Sequence, residues 1–220
     1  MNVVVKLVML KLFDSLTSVE CGVDEVARGC LFGRVYAGAV IFGKELGEDK
    51  PPVEIRDSKK MTKNQREKAS EWIKKNALYY GIGYCDEKYI DEHNILNAAQ
   101  EAMHRAIQNL EIEPESLLID GNRFKPYYNK ENEIISHKCI IKGDNTFFSI
   151  ACAAILAKVE HDHYIVELCE KYPILHERYM LKNNVGYASK AHRDGIEKYG
   201  ITQFHRKTFG ICSKSFISEI

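Results

Sequence analysis

Nine residues from Arg34 to Phe42, Arg-Val-Tyr-Ala-Gly-Ala-Val-Ile-Phe, form an almost wholly apolar run. Such a run reads as a buried strand, and a buried strand must belong to a sheet. Just ahead of it, Cys21-Gly22-Val23-Asp24-Glu25-Val26-Ala27-Arg28-Gly29 places two adjacent carboxylates, Asp24 and Glu25, at the end of another apolar strand, before a turn containing Arg28 and Gly29. Two poorly solvated negative charges cost several kcal/mol, on the order given for buried ions, so a metal ion or a cationic side chain is expected beside them. Taken alone, the dipeptide reads equally as an exposed turn with a solvated acidic pair.

The chain of 220 residues is long enough for a full core, and no Pro/Gly/Ser-rich linker, repeat or low-complexity tract divides it. One domain is expected over 1–220, with an N-terminal extension at 1–20. Val3 to Phe13 is apolar but is interrupted by Lys6 and Lys11, is too short to span a bilayer, and lacks a signal peptide's basic start and cleavage site. No membrane association is expected. Seven cysteines without a C-x-x-C spacing suit neither a disulfide framework nor a zinc cage, and they point to a reducing, cytoplasmic setting. Formal net charge is zero, but from Lys171 to Ile220 nine Lys/Arg face four Asp/Glu, a local +5 that leaves −5 for the remainder. A basic final segment behind an acid-bearing front suits a metal enzyme that grips phosphates, and equally suits an ordinary solvated surface. No heptad or large apolar stripe is evident, so a monomer is expected.

Along the chain, Asp57-Ser58-Lys59-Lys60 reads as a loop into a helix capped by Thr62 with Gln65 three residues on. Tyr79 to Cys85 reads as a strand weakened by two glycines, and a helix opening at Asp91 carries a core stripe through Ala99, Met103 and Leu110. Leu117-Leu118-Ile119-Asp120-Gly121 is a short buried strand ending in an acid, the place where open α/β sheets gather ligands; Asp120 is equally the first residue of a turn. Cys139 to Lys142 is a further short strand. A helix from about Phe147 to Glu170 is rich in alanine and puts Lys158 and Asp162 on one face, where they read as a surface ion pair. His161-x-His163 does not share a helix face, and both histidines are expected at the surface. Pro173 ends the helix, Ser189 caps a later one, and 202–209 interleaves aromatic and cationic residues as nucleic-acid-binding segments do.

Asp24, Glu25, Asp120 and Asp162 thus arrive on three elements that can converge at one sheet edge. All-oxygen donors select a hard cation such as Mg²⁺ or Mn²⁺, and such ions complete their shells with water and substrate phosphate. Phosphoryl-transfer chemistry is the leading class, with a metal-dependent phosphatase as a competing reading.

These blocks, in this order, resemble the ribonuclease HII family (type 2 ribonuclease H) over nearly the whole chain. They are Gly22 to Gly29, Asp57-Ser58-Lys59-Lys60, Asp91 to Leu96, Leu118 to Gly121, Lys142-Gly143-Asp144, Ser149 to Asp162, Gly186-Tyr187 with His192, and His205 to Phe209. The resemblance implies an α/β, ribonuclease H-like fold: a mixed central β-sheet flanked by α-helices, with a small C-terminal helical and loop cap. It implies an endonuclease for the RNA strand of RNA–DNA hybrids that also cuts 5′ to single ribonucleotides embedded in duplex DNA, leaving 3′-hydroxyl and 5′-phosphate ends. Asp24, Glu25, Asp120 and Asp162 are then the ligands of two divalent ions about 3.5–4 Å apart, one activating the attacking water and one stabilising the leaving oxygen. The backbone of Ala27-Arg28-Gly29 is expected on the 2′-hydroxyl, the ring of Tyr187 on the following deoxyribose, and Lys59, Lys158 and Arg206 on phosphates. The alternative is a hybrid-binding module with little or no cleavage.

The chain departs from the family pattern at named positions. Ala27 stands where the motif has glycine, Cys30, Phe32 and Arg34 stand where small residues or proline are common, and His161 replaces an arginine. The chain stops soon after Phe209, which resembles the short bacterial form.

Overall fold

The computed structural model describes residues 10–15, 19–44 and 49–220. Most of the apolar run Val3 to Phe13 and of the expected extension 1–20 lies outside the described residues. Five strands form one sheet: β1 (Glu20–Val26), β2 (Val35–Ile41), β3 (Tyr79–Cys85), β4 (Ser116–Asp120) and β5 (Ser136–Ile140), in the spatial order β3-β2-β1-β4-β5. The β1–β2 and β2–β3 pairs are antiparallel; the β1–β4 and β4–β5 pairs are parallel. The expected mixed sheet is therefore the one observed, and all seven residues of β2 are buried as its apolar run requires.

Helices cover both faces. On one side α2 (Glu87–Gln108) packs Ala98, Ala102, Met103 and Ala106 against Val23, Ala37, Ala39 and Ile119. On the other, α3 (Phe148–Lys171) and α1 (Lys63–Asn76) pack Ala151, Cys152, Ile155 and Ile73 against Val40 and Phe42. The strand glycines have a packing reason: a Cβ at Gly38 would stand 2.3 Å from the Ala153 carbonyl oxygen, and one at Gly83 would stand 2.2 Å from that of Ala102. The glycines of β3 thus let α2 lie directly on the sheet rather than marking a weak strand.

Local signals behave as the sequence suggests at the helix starts. Thr62 and Gln65 form the reciprocal capping box of α1, and Ser189 accepts from the His192 N–H at the start of α6 (Lys190–Tyr199). The helix expected from Asp91 begins earlier: Asp86 caps it at Tyr89, and the Asp91 region lies inside α2, which kinks at Asn94 (φ 65°, ψ 162°). The side chain of Asn94 recaps the second segment by accepting from the N–H groups of Leu96 and Asn97. Beyond Pro173, the short helices α4 (Ile174–Tyr179) and α5 (Leu181–Asn184) and then α6 pack Leu175, Tyr179, Leu181 and Ile196 on Phe32 and the second half of α3. All seven cysteines are unpaired. Among the described residues, no helix is long and apolar enough to cross a membrane.

Candidate active site

The parallel pairing of β1 with β4 decides where the first acids meet. Val23 stands opposite Ile119, so continuing both strands by one residue brings Asp24 beside Asp120 at their carboxyl ends. Glu25 follows on the opposite face of the same strand. Oxygen atoms of Asp24, Glu25 and Asp120 all lie within 4.8 Å of one another. Asp24 is 6% exposed, while the other two are half-buried and reach the cleft.

A fourth acid joins them from a tight turn after β5. Lys142 takes a left-handed conformation (φ 57°), Gly143–Asn145 form one short helical turn, and the Gly143 N–H donates to Asp120 Oδ1 at 2.6 Å. This bond pins the turn to the end of β4, and Asp144 projects into the same cleft of about 570 Å³ as Asp24, Glu25 and Asp120. The opposite wall is Ser58–Lys60, a turn held by the Asp57 side chain, which accepts from the Lys59 N–H at 3.0 Å. Lys60 reaches across to Asn145 at 3.2 Å.

The electrostatics of this end are unfavourable to bare carboxylates. Burial, then the charges of Glu25, Asp120 and Asp144, push the Asp24 carboxyl well above the usual range. Asp120 is raised first by burial and then by Asp144 and Glu25, against the Gly143 hydrogen bond that lowers it. Arg28 stands 2.8 Å from Glu25 with its side chain 53% exposed, and Lys59, Lys60 and Lys142 also line the cleft. Oxygen-only donors crowded together at one point fit a hard divalent cation.

Asp162 does not join this group. Its carboxylate is claimed by three donors: Lys158 Nζ at 2.7 Å, His161 Nδ1 at 3.0 Å and Arg66 Nη2 at 3.3 Å. Burial acts to raise it, but the His161 hydrogen bond and the Lys158 charge outweigh that and hold the carboxyl below its usual range. The ligand set expected from the sequence is thereby corrected at this position, since a carboxylate already neutralised by two permanent cations has little left for a metal ion. The Lys158–Asp162 pair is also a buried one, with side chains 12% and 7% exposed, rather than a surface pair. His161 is fully buried, contrary to expectation, whereas His163 is exposed beside Glu67.

The residues expected on substrate divide similarly. Ala27, Arg28, Gly29, Lys59, Lys158 and Tyr187 line one cleft of about 360 Å³ that shares Glu25 with the acidic end. Arg206 is elsewhere: it is fully buried, and its guanidinium donates to the carbonyls of Gly33 (2.8 Å), Arg28 (2.9 Å) and Arg34 (3.0 Å). A side chain so enclosed cannot touch a phosphate; it shapes the 28–34 loop from beneath. Ala27 adopts φ 69° and is buried, so the residue that replaces glycine sits in the left-handed region that glycine favours.

Two participants have no role assigned from the sequence. Asp144 carried the same signal as Asp120, an acid beside a glycine just past a short strand, with the order of the two residues reversed. Arg66 carried none, being one cation among many on an exposed-looking helix.

A mixed sheet sandwiched by helices, with carboxylates at the ends of its central parallel strands, defines the class: a ribonuclease H-like metal-dependent nuclease. The family model for Ribonuclease HII matches residues 21–212. Ribonuclease HII of Parabacteroides distasonis is 44% identical over 191 residues, covering 87% of this chain and 89% of that protein. The chain belongs to the ribonuclease HII family. It is accordingly a type 2 ribonuclease H, an endonuclease for the RNA of RNA–DNA hybrids that needs a divalent metal ion. Among solved structures, the fold is similar to ribonuclease H2 from Pyrococcus horikoshii OT3, with a TM-score of 0.70 at 24% identity over 89% of this chain and 95% of that one. It is also similar to Bst-RNase HIII in complex with Mn²⁺, with a TM-score of 0.64 at 19% identity over 90% and 68%.

Proposed function

We propose that this enzyme cuts both within the RNA strand of RNA–DNA hybrids and 5′ to single ribonucleotides embedded in duplex DNA, leaving 3′-hydroxyl and 5′-phosphate ends. Asp24, Glu25, Asp120 and Asp144 would hold two divalent ions, Mg²⁺ or Mn²⁺. The observation that carries this reading is the convergence of the first three acids within 4.8 Å at one sheet edge, with Asp144 in the same cleft. Bound there, such ions would supply Lewis acidity for hydrolysis of the phosphodiester. Bst-RNase HIII, a protein of similar fold, is solved in complex with Mn²⁺.

The chain's own residues provide the rest. The Gly143 N–H holds Asp120 in one orientation, so this carboxylate enters the reaction without reorganising. Ala27, Arg28 and Gly29 present backbone toward the ribose next to Glu25, which suits recognition of a 2′-hydroxyl beside the bond to be cut. Tyr187, about one-third exposed, offers a ring face to a sugar, and Lys59 and Lys158 offer donors to phosphates. Because the attacking oxygen comes from water, the 2′-hydroxyl is free for recognition. The His192–His205 pair, the closest two histidines come to the paired bases of metal-free ribonucleases, is fully buried with its Nε2 atoms 3.2 Å apart.

The test compares two labelled duplexes, one DNA with a single ribonucleotide and one with a continuous RNA strand, in Mg²⁺ and in Mn²⁺, beside Asp120→Asn. Cutting of both substrates, lost in the variant, is expected. Cutting of the RNA strand alone would remove the embedded-ribonucleotide half of the proposal and point to Ala27. No cutting in either metal, with binding retained, would leave a hybrid-binding module.

A further inference from the structure

Asp162, excluded from the acidic cluster, holds together three segments that wall the neighbouring cleft. Its Oδ1 accepts from Lys158 Nζ and His161 Nδ1, and its Oδ2 accepts from Arg66 Nη2. Each donor leads to a different wall. Lys158 stands 5.2 Å from the ring centroid of Tyr187. Arg66 donates through Nη1 to the carbonyls of Ser58 (3.2 Å) and Met61 (2.6 Å), the two ends of the turn that carries Lys59. His161, with its Nδ1 proton directed at the carboxylate, turns Nε2 toward Cys30 Sγ at 3.8 Å. Burial pushes that thiol up to about 12, so it remains a neutral S–H. Cys30 in turn closes the Ala27 turn, its N–H donating to the Ala27 carbonyl, and forms a backbone bridge with Tyr187.

Charge makes an acid the appropriate residue here. Lys158 and Arg66 are two cations meeting at one point in a largely buried setting, and without an anion between them they repel. With one carboxylate the group keeps a net positive charge, and the Lys158 ammonium has three N–H groups of which Asp162 takes one. The remainder suits a phosphate in the cleft, next to the acidic end at Glu25.

We infer that Asp162 is a positioning residue for nucleic-acid backbone binding: it sets Lys158, the Lys59 turn and the Tyr187 wall to receive a phosphate beside the cut. This inference rests on the nuclease reading for the identity of the ligand, though not for the existence of the grip.

The experiment measures steady-state cleavage of a labelled RNA–DNA hybrid across Mg²⁺ and KCl for the wild type, Asp162→Asn, Asp162→Glu, Lys158→Ala and the Asp162→Asn/Lys158→Ala pair. Fluorescence anisotropy then follows binding of the same hybrid to Asp120→Asn with and without Asp162→Asn. Asp162→Asn is expected to raise KM about tenfold and lower kcat less than about threefold, a loss of binding rather than of chemistry. The Mg²⁺ concentration for half-maximal rate is expected to stay fixed, and the log–log salt slope of binding to weaken by about 1, one phosphate contact. Asp162→Glu should recover part of the loss, and the double variant should be no worse in KM than Lys158→Ala, because both act on one contact.

A shift in Mg²⁺ half-saturation with a kcat loss matching that of Asp120→Asn would make Asp162 a metal ligand and overturn the inference. So would a fall in kcat that tracks a lower melting temperature while KM and the salt slope stay put. Should the wild type fail to cut at all, the nuclease reading falls, and anisotropy decides the grip alone. Weaker binding on adding Asp162→Asn then sustains it, and equal binding overturns it.

Discussion

Two carboxylate groups a short distance apart in this enzyme have opposite electrostatic characters. At the ends of β1 and β4, Asp24 and Asp120 are raised above the usual range by burial and by like-charged neighbours. On α3, Asp162 is comparably buried but is held below that range by His161 and Lys158. Asp24 and Asp162 share residue type and burial; the groups facing each carboxylate differ. The first set keeps unsatisfied negative charge for something that arrives from solution, whereas the second spends its charge on ordering the protein itself.

The largest effect that bears on this contrast is on catalysis. Asp120→Asn is expected to reduce the cleavage rate by at least about a hundredfold, measured in single turnover at saturating Mg²⁺, because it removes both ligand charge and an oriented electrostatic group. In metal-free protein the same variant should melt no lower than the wild type, since it also removes repulsion.

Next comes Arg206→Ala, which strands three backbone carbonyls beneath the 28–34 loop joining the two regions. A stability loss of about 3–4 kcal/mol in urea unfolding is expected, with Arg206→Lys recovering little because an ammonium cannot span three acceptors in one plane. A loss of binding at full stability would instead put Arg206 on substrate.

The pH dependence should have opposite signs at the two sites. Folded Asp24 and Asp120 have raised pKa values, so the stability they contribute to metal-free protein is present below their unfolded values and is lost as pH rises through their folded ones. For Asp162, depressed in the fold, the contribution is present above its unfolded value and is lost as pH falls through its folded one. The melting-temperature advantage of wild type over Asp162→Asn should therefore shrink below about pH 4, the ordinary aspartate range, whereas relative to Asp120→Asn the wild type should lose ground as pH rises above that range. Parallel pH profiles would erase the distinction.

The smallest effect is expected at Ala27→Gly, between the two regions. Relief of a left-handed alanine should stabilise the protein by about 0.5–1 kcal/mol, read as a higher urea midpoint. It should also raise the relative rate on DNA carrying one ribonucleotide if the methyl crowds the ribose.

Much of this architecture was legible in the residues. The apolar run at 34–42, the acids at 24 and 25, the strand ending in Asp120 and the Thr62–Gln65 cap each announce themselves, since strand burial and helix capping depend on residues near in sequence. Asp162 was misread because a Lys four residues before an Asp looks the same on a surface helix as on a buried one. The third donor, Arg66, comes from 96 positions away on α1. Arg206 was misread for a like reason: cations interleaved with aromatics look exposed until a loop 170 or so residues earlier in the chain is found wrapped around one of them.

Sequence alone determined most of the strands, the capped starts of α1 and α6, the oxygen-only donor chemistry and the family pattern, because each is written in local periodicity or in an ordered set of short blocks. Only the tertiary structure decided which acids share a site. A carboxylate's role follows from the charges within a few ångströms of it, and in this fold those charges come from strands and helices far apart along the chain.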